Sequence, residues 1–279
     1  MFISRKEIER LSADVRRIID GQSVDLRDNL EGRLSILKND IHTLAGSLSE
    51  QASNLQREKS AMAETLADIS HQLKTPLTAM MVMTELLEDA PPEKAAEFIF
   101  NLKRGLAQTG WLVNALLKMA KLESGSVVFS RTEVYAGELL GLALQPLQIL
   151  LDIKDQRVEW ASGTPYGEVR FLCDKNWTAE ALTNIIKNAS EHSPEGSTIL
   201  IGAGFNPLCK WLSVTDAGKG IPNIEIKGLF QRFGGTHKKQ GTGIGLPLAL
   251  AILRGQNGDI EVNGGNSGTG AVFTMRFYK

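Results

Sequence analysis

Residues 67–77 read ADISHQLKTPL, and His71 within them is placed to act as a nucleophile. Leu66, Ile69, Leu73 and Leu77 step by three, four and four, marking one apolar stripe of a helix. His71 stands about 200° from both Ile69 and Leu73, so the pattern turns its imidazole away from the stripe, toward solvent. Pro76 lacks an N–H and crowds the carbonyl of Gln72, which predicts a kink just below the histidine. A nucleophilic imidazole must be neutral, so its other ring nitrogen carries a proton and wants an acceptor. Asp68, three residues earlier on the same face, offers a charged oxygen. Gln72 offers a neutral one, which can accept the hydrogen bond but cannot serve as a base at neutral pH. Thr75, four residues on, shares the face of His71. Alone, a solvent-facing histidine is ordinary, and the weight comes from residues far downstream.

Asn184 and Asn188 lie four apart in a predicted helix from Trp177 to His192, hence on one face. Their amides can ligate a hard cation through oxygen and bond phosphate through nitrogen, though two solvated asparagines fit as well. The predicted strand WLSVTD ends at Asp216, where a carboxylate can accept a hydrogen bond from an exocyclic amine. Gly218 and Gly220 come next and let backbone approach a flat ring, or merely form a turn. GTGIGL, residues 241–246, opens another predicted helix. Its Gly241, Thr242, Gly243, Gly245 and Leu246 bring backbone N–H groups to a helix N-terminus, where the dipole favours an anion. The spacing is neither the dinucleotide fingerprint nor a Walker A loop. Between the two glycine segments lies LFQRFGGTHKKQ. Phe230 and Phe233 can anchor it while Arg232, Lys238 and Lys239 reach phosphates, which makes it a candidate lid; a basic surface loop is the plain alternative.

These residues need elements to hold them. A short amphipathic helix is predicted over 2–20. Leu34, Leu37, Ile41, Leu44 and Leu48 then alternate three and four, a heptad seam continued by Ala52, Leu55, Lys59, Met62 and Leu66. The four-and-four step through Leu48 is a stutter. One long helix from about Glu31 to Asp89 is expected, pairing with a second copy of the chain. Pro91 and Pro92 break it, and residues 93–124 form the return helix of an antiparallel hairpin, two of which make a four-helix bundle. From about residue 131 the pattern turns to mixed α and β. Helices are predicted at 136–150, 175–192 and 243–255, and strands at 157–160, 168–173, 197–205, 209–215, 258–263 and 270–278. The expected architecture is a two-layer α/β sandwich with a mixed sheet. The boundaries drawn are 1–57, 58–126 and 131–279, with Glu123–Ser126 as the linker.

Composition narrows the classes. With 279 residues there is room for about two cores. A net charge of −1 with interspersed signs gives no nucleic-acid footprint. Cys173 and Cys209 sit far apart in apolar stretches and read as reduced core thiols, and the four histidines show no zinc spacing. The most apolar window, Leu139–Leu151, is short for a membrane span and holds Gln145, Pro146 and Gln148. The charged start after Met1-Phe2-Ile3 is no signal peptide, and fits either a soluble protein or the portion after a span.

Taken together the motifs resemble a sensor histidine kinase of bacterial two-component signalling, over nearly the whole chain. ADISHQLKTPL is similar to the family's H-box, TNIIKNASEHS to its N-box and DAGKGI to its G1 box. LFQRF is similar to the F-box, GTGIGL to the G2 box and GTGAVFTMRF to the closing strand. The resemblance implies a dimeric phosphoacceptor hairpin followed by an ATPase domain of the gyrase/Hsp90/MutL type. It implies phosphorylation of His71, magnesium on Asn188 and adenine read by Asp216. The triphosphate would be held by Asn184, the G2 glycines and the lid. Glu191 and His192 stand where the family usually has a lysine and an aromatic, and Gln72 where many relatives carry Glu or Asp. Thr75 matches the position relatives use to orient water when dephosphorylating the partner regulator. EGRLSILKNDI resembles a juxtamembrane helix of membrane-bound kinases from Gram-positive bacteria, which implies an upstream membrane sensor and a cytoplasmic location for this portion.

The expectation is therefore an ATP- and Mg2+-dependent kinase that autophosphorylates His71 and passes the phosphoryl to a response-regulator aspartate. Two rivals stand: a nucleotide-gated phosphatase scaffold with weak kinase activity, favoured by Gln72, and an ATPase clamp, which would not need the H-box.

Overall fold

The computed structural model describes residues 5–20, 22, 24–25, 33–88, 90–165, 167–226, 228–233, 243–265 and 270–278. Contacts divide the chain into two units, Met1–Ser70 and His71–Lys279.

The first unit holds α1 (Arg5–Ile19) and the beginning of α2 (Arg33–Glu88). The described part of α1 has the expected amphipathic stripe, with Leu11 buried among charged neighbours. Leu37, Leu44, Leu48, Leu55, Met62 and Leu66, all from the predicted seam, are exposed.

In the second unit α2 continues through Pro76, so the proline does not end the helix. The chain turns at Pro91, whose extended backbone (φ −63°, ψ 150°) precedes Pro92 at the start of α3 (Pro92–Glu123). Proline is well suited there, because the first N–H of a helix has no partner anyway. The two helices approach closely at Gly105, where a Cβ would lie 2.9 Å from Cγ of Met80. Leu112, Ala115 and Met119 of α3 are buried in a core shared with the α/β layers.

Beyond Gly125 come β1 (Arg131–Tyr135), α4 (Ala136–Leu144), a 3₁₀ turn (Gln145–Leu147) and α5 (Gln148–Ile153). Next are β2 (Arg157–Trp160), β3 (Arg170–Asp174), α6 (Lys175–His192), β4 (Thr198–Phe205) and β5 (Cys209–Thr215). The chain closes with α7 (Asn223–Ile226), α8 (Gly245–Arg254), β6 (Gly258–Asn263) and β7 (Val272–Tyr278). The main sheet has the order β2-β4-β5-β7-β6, with β2 parallel to β4 and the remaining pairs antiparallel. Alternate residues point to one face, as in β4 and β7, where Ile199, Ile201, Phe273 and Met275 are fully buried. Helices α4, α6 and α8 supply the second layer through Leu139, Leu182, Ile185, Leu248 and Ile252. This is the expected two-layer sandwich on a mixed sheet, preceded by long helices.

Three details depart from the sequence reading. Strand β1 was not expected, because RTEVY buries only Val134 and shows too little alternation to stand out. It pairs antiparallel with β3, so the predicted strand 168–173 forms a separate two-stranded ribbon rather than part of the main sheet. The helix predicted over 136–150 is interrupted at Pro146, where the chain tightens into the 3₁₀ turn. Ala136–Ile153 remains apolar and long enough to cross a membrane by composition, with mean hydropathy 1.3. Its Ala136, Leu139, Leu140, Ala143, Leu147 and Leu151 nevertheless join the core.

Truncating Phe273 to alanine should destabilise the second unit by about 3–5 kcal/mol, the cost of emptying a fully buried aromatic site. Phe205→Ala, at an exposed position, should leave the thermal midpoint almost unmoved. Equal shifts in a denaturation scan would refute this assignment of the core.

Candidate functional site

Helix α6 is set at its start by Asp174, whose Oδ1 accepts the N–H groups of Asn176 and Trp177 at 3.1 Å. One face of α6, with Ala181, Leu182, Ile185 and Ala189, is buried in the core. Asn184 is also buried, at 6 % exposure, and donates Nδ2–H back to the Glu180 carbonyl at 2.9 Å. That bond turns its Oδ1 toward the start of α8, where a Cβ on Gly245 would lie 3.1 Å away. Asn188, one turn on and half-buried, has no hydrogen-bond partner among the described residues. Glu191 lies half-buried 3.9 Å from Lys187. Burial pushes its carboxyl above the ordinary value, while Lys187 and Lys154 pull it back. His192 is exposed at the end of α6.

Asp216 comes directly after β5 and is buried at 6 % exposure. Its Oδ1 accepts two backbone bonds, from Gly218 N–H at 2.8 Å and from Ala271 N–H at 3.0 Å. Among the described residues no donor reaches Oδ2. The turn after it depends on close backbone approaches. A Cβ on Gly218 would sit 2.6 Å from the carbonyl oxygen of His192, and Gly220 has φ +76°. Gly270, at φ +71°, leaves room for the main chain of Asp216, since its Cβ would fall 1.9 Å from that residue's carbonyl oxygen. A cavity of about 430 Å³ opens here, lined by His192, Ser193, Pro194, Ala217, Gly218 and Lys219.

Near the glycine segment before α8, Phe233 N–H donates to the Gly243 carbonyl at 3.0 Å. Phe233 has φ 57°, uncommon for an aromatic residue, and Gly243 has φ +66°. That bond joins Phe233 to Gly243, and Phe230 and Phe233 both pack on the core. Arg232 forms an ion pair with Glu123 at the end of α3. Leu246 is buried at the start of α8. Lys238, Lys239, Gly241 and Thr242 lie outside the described residues.

The structure thus brings Asn184 of α6 against Gly245 of α8, and the turn of Asp216 and Gly218 after the central strand β5 against His192 at the end of α6. His71 is elsewhere, exposed on α2, with Gln72 half-buried and Thr75 exposed. Thr75 Oγ donates to the His71 carbonyl at 3.2 Å. Asp68, in the first unit, is exposed. A groove of about 840 Å³ beside His71 runs between α2 and α3, lined among others by Lys74, Thr75, Thr78, Phe98 and Asn101. Ser193 and Gly270 escaped the sequence reading. Ser193 closes the quoted TNIIKNASEHS segment without a role of its own there; Gly270 belongs to the quoted GTGAVFTMRF segment, where a required close approach is a readable signal.

Two family descriptions match the chain: "His Kinase A (phospho-acceptor) domain" over residues 61–125, and "Histidine kinase-, DNA gyrase B-, and HSP90-like ATPase" over 173–279. The sensor histidine kinase WalK of Bacillus subtilis is 30% identical over 77% of this chain and 36% of its own length. Other curated relatives are covered over 54% and 61%, so the chain spans between about a third and three fifths of these proteins. Among solved structures, histidine kinase ThkA in complex with response regulator protein TrrA has a TM-score of 0.66 at 21% identity, covering 83% of this chain and 66% of that one. That likeness concerns the fold. Full-length ShkA in complex with AMPPNP has a TM-score of 0.55 at 25% identity, covering 77% of this chain and 45% of that one. The chain belongs to the sensor histidine kinases of two-component signalling, and its second unit includes an ATP-binding domain.

Asp216→Asn should weaken ATP binding about 10- to 100-fold, the range for spoiling one buried charged acceptor, because the amide places a donor where an acceptor is needed. Titration calorimetry giving wild-type affinity would reduce Asp216 to a structural turn residue.

Proposed function

We propose that this chain is the catalytic portion of an ATP-dependent protein histidine kinase that phosphorylates His71 and passes the phosphoryl group to an aspartate of a separate response regulator. The observation that carries the reading is the pairing, within one unit, of an exposed imidazole on a helical hairpin with a cavity of about 430 Å³ next in sequence to a buried carboxylate. The phosphoacceptor hairpin would occupy 58–126, the ATP-binding domain 131–279, and residues 1–57 would conduct the signal. The matches to the phospho-acceptor and ATPase families support the first two assignments.

In this reading Asp216 accepts the adenine amine on its unclaimed oxygen. Gly218 and Gly220 let the ring approach the backbone, while Gly241, Thr242, Gly243, Gly245 and Leu246 present the start of α8 to the phosphates. Asn184, Phe230, Arg232 and Lys238 border the triphosphate. The donor set suits magnesium: Asn188 has a half-buried amide with no described partner, and its oxygen is a hard ligand. Among the described residues no cluster of three His, Cys, Asp or Glu occurs, so most ligands would come from phosphate and water. Glu191 and His192 give this site less positive charge than a lysine would. The neutral nitrogen of His71 forms the bond to the γ-phosphorus as the bond to the β-phosphate oxygen breaks, releasing ADP. The proton on the other ring nitrogen then leaves to solvent, held meanwhile by Gln72 or Asp68. Positioning and charge neutralisation are the protein's main contributions.

The exposed seam on α2 supports pairing with a second copy, and the groove beside His71 is an accessible place for a regulator to dock. The matched relatives are longer sensor kinases, which supports an upstream membrane sensor segment outside this chain, with this portion in the cytoplasm. A second activity, regulator dephosphorylation with water oriented by Thr75, is favoured by Gln72, which weakens the forward reaction without harming the fold.

His71→Gln should abolish acid-labile labelling from γ-labelled ATP and leave nucleotide affinity unchanged; label that persists would sink the assignment. Replacing Gln72 with glutamate restores a base, so the initial labelling rate should rise, by up to about a hundredfold. Asp68→Asn should lower it. Loss of labelling in Gln72→Glu would give the glutamine a dedicated role instead.

A further inference from the structure

The segment 192–194, which lines the cavity together with Ala217, Gly218 and Lys219, is held by a side chain that does not line it. Gln156, just ahead of β2, is buried at 6 % exposure. Its Nε2 points at three main-chain carbonyls, those of Ser190 at 3.2 Å, Ser193 at 3.1 Å and Pro194 at 2.9 Å. Its Oε1 accepts the hydroxyl of the fully buried Ser190 at 2.6 Å. Lys154 adds a bond from Nζ to the Ser190 carbonyl at 2.7 Å. The last carbonyls of a helix have no partner within it, and here a glutamine amide supplies the missing donors from a distant part of the chain.

The consequence passes to the cavity through Ser193. Its Oγ accepts the N–H of Ala217 at 3.0 Å, the residue directly after Asp216. His192, the last residue of α6, puts its carbonyl against Gly218 so closely that a Cβ would meet it at 2.6 Å. Gln156 therefore fixes the 190–194 segment, the segment fixes Ala217 and Gly218, and Gly218 N–H is one of the two bonds on Asp216 Oδ1. We infer that Gln156 is a positioning residue for base recognition: through Ser193 it sets the register of the Asp216 turn, and so the preference for adenine over guanine nucleotides. This rests on the reading of the cavity as an ATP site. Methionine has the same reach but no donor, so it would leave three inward-facing carbonyls without Nε2 while preserving packing.

The test uses the full chain in three variants, Gln156→Met, Ser193→Ala and Asp216→Asn, with circular dichroism confirming the fold. ATP and GTP affinities are measured by calorimetry, and KM and kcat by labelling of His71. Gln156→Met should raise the KM for ATP about tenfold, the effect of one buried hydrogen-bonding group, with kcat changed far less. Gln156→Met and Ser193→Ala should both narrow the ATP-over-GTP ratio, a readout that a smaller folded fraction cannot move. If Gln156→Met does not fold, the ratio in Ser193→Ala decides. A wild-type ratio in the deciding variant, with Asp216→Asn impaired, overturns this inference alone. A wild-type ratio and affinity in Asp216→Asn as well overturns the ATP reading beneath it.

Discussion

A single carboxylate oxygen organises the site. Asp216 Oδ1 takes N–H groups from the turn after β5 and from Ala271, just ahead of β7, so two segments 55 residues apart in sequence meet at one atom. A buried carboxylate is costly unless hydrogen-bonded, and these two backbone donors meet that requirement without adding a countercharge. The arrangement leaves little choice nearby. Gly218 and Gly270 must lack side chains because the main chains they face are already in contact distance. Gly264 is bound in the same way, since its Cβ would overlap the carbonyl oxygen of Ile221, which accounts for the bond from Ile221 N–H to the Gly264 carbonyl at 2.7 Å. The geometry around Asp216 is thus built from backbone approaches, which a single side chain cannot restore once a glycine is lost.

Helix α6 carries the second constraint, because one helix must serve the core and the site together. Its apolar residues anchor it on the sheet, and Asn184, four residues from Glu180, lies at the margin between the two faces. The back-bond to Glu180 satisfies the amide nitrogen inside the helix and leaves the oxygen for the glycine segment. At its start Asp174 uses Oδ1 for the first N–H groups of α6 and Oδ2 for Ser130 N–H, at 2.9 Å, tying the linker that precedes β1 to the same helix. At its end Gln156 and Lys154 close the last carbonyls. A helix so fixed at both ends presents its polar face in one register.

Where the sequence was legible, local chemistry and long-range need agreed. The spans of α6, β2, β5 and β6 arise from alternation and capping, and Asn184 and Gly245 meet across α6 and α8. What escaped was non-local. β1 exists because β3 pairs with it, and RTEVY carries no pattern of its own. The break at Pro146 was visible as a proline, yet the apolar run around it outweighed the signal. Gln156 is invisible to motif reading for a physical reason: an amide that caps a distant helix end obeys a geometric requirement with no fixed sequence separation. The ion pair of Arg232 with Glu123 depends on where α3 ends in space, which spacing does not encode.

The contact between α3 and the ATP-binding layers combines two kinds of interaction with different costs of exchange. Leu112, Ala115 and Met119 are buried and give the apolar centre. Around them stand Lys118 with Glu180 at 2.9 Å, Lys187 over the ring of Trp111 at 4.9 Å, and Arg232 with Glu123. Partly exposed ion pairs contribute little net stability, so they orient the contact without holding it shut. Trp111, Leu116 and Leu122 pack against the same core from α3, partly buried. For a kinase of the proposed kind this matters directly, because His71 lies on the hairpin and the base-binding cavity on the sheet. Transfer in the proposed reaction needs the nucleotide's far end to reach the imidazole, and the ion pairs at the margin of this contact are the bonds that cost least to exchange.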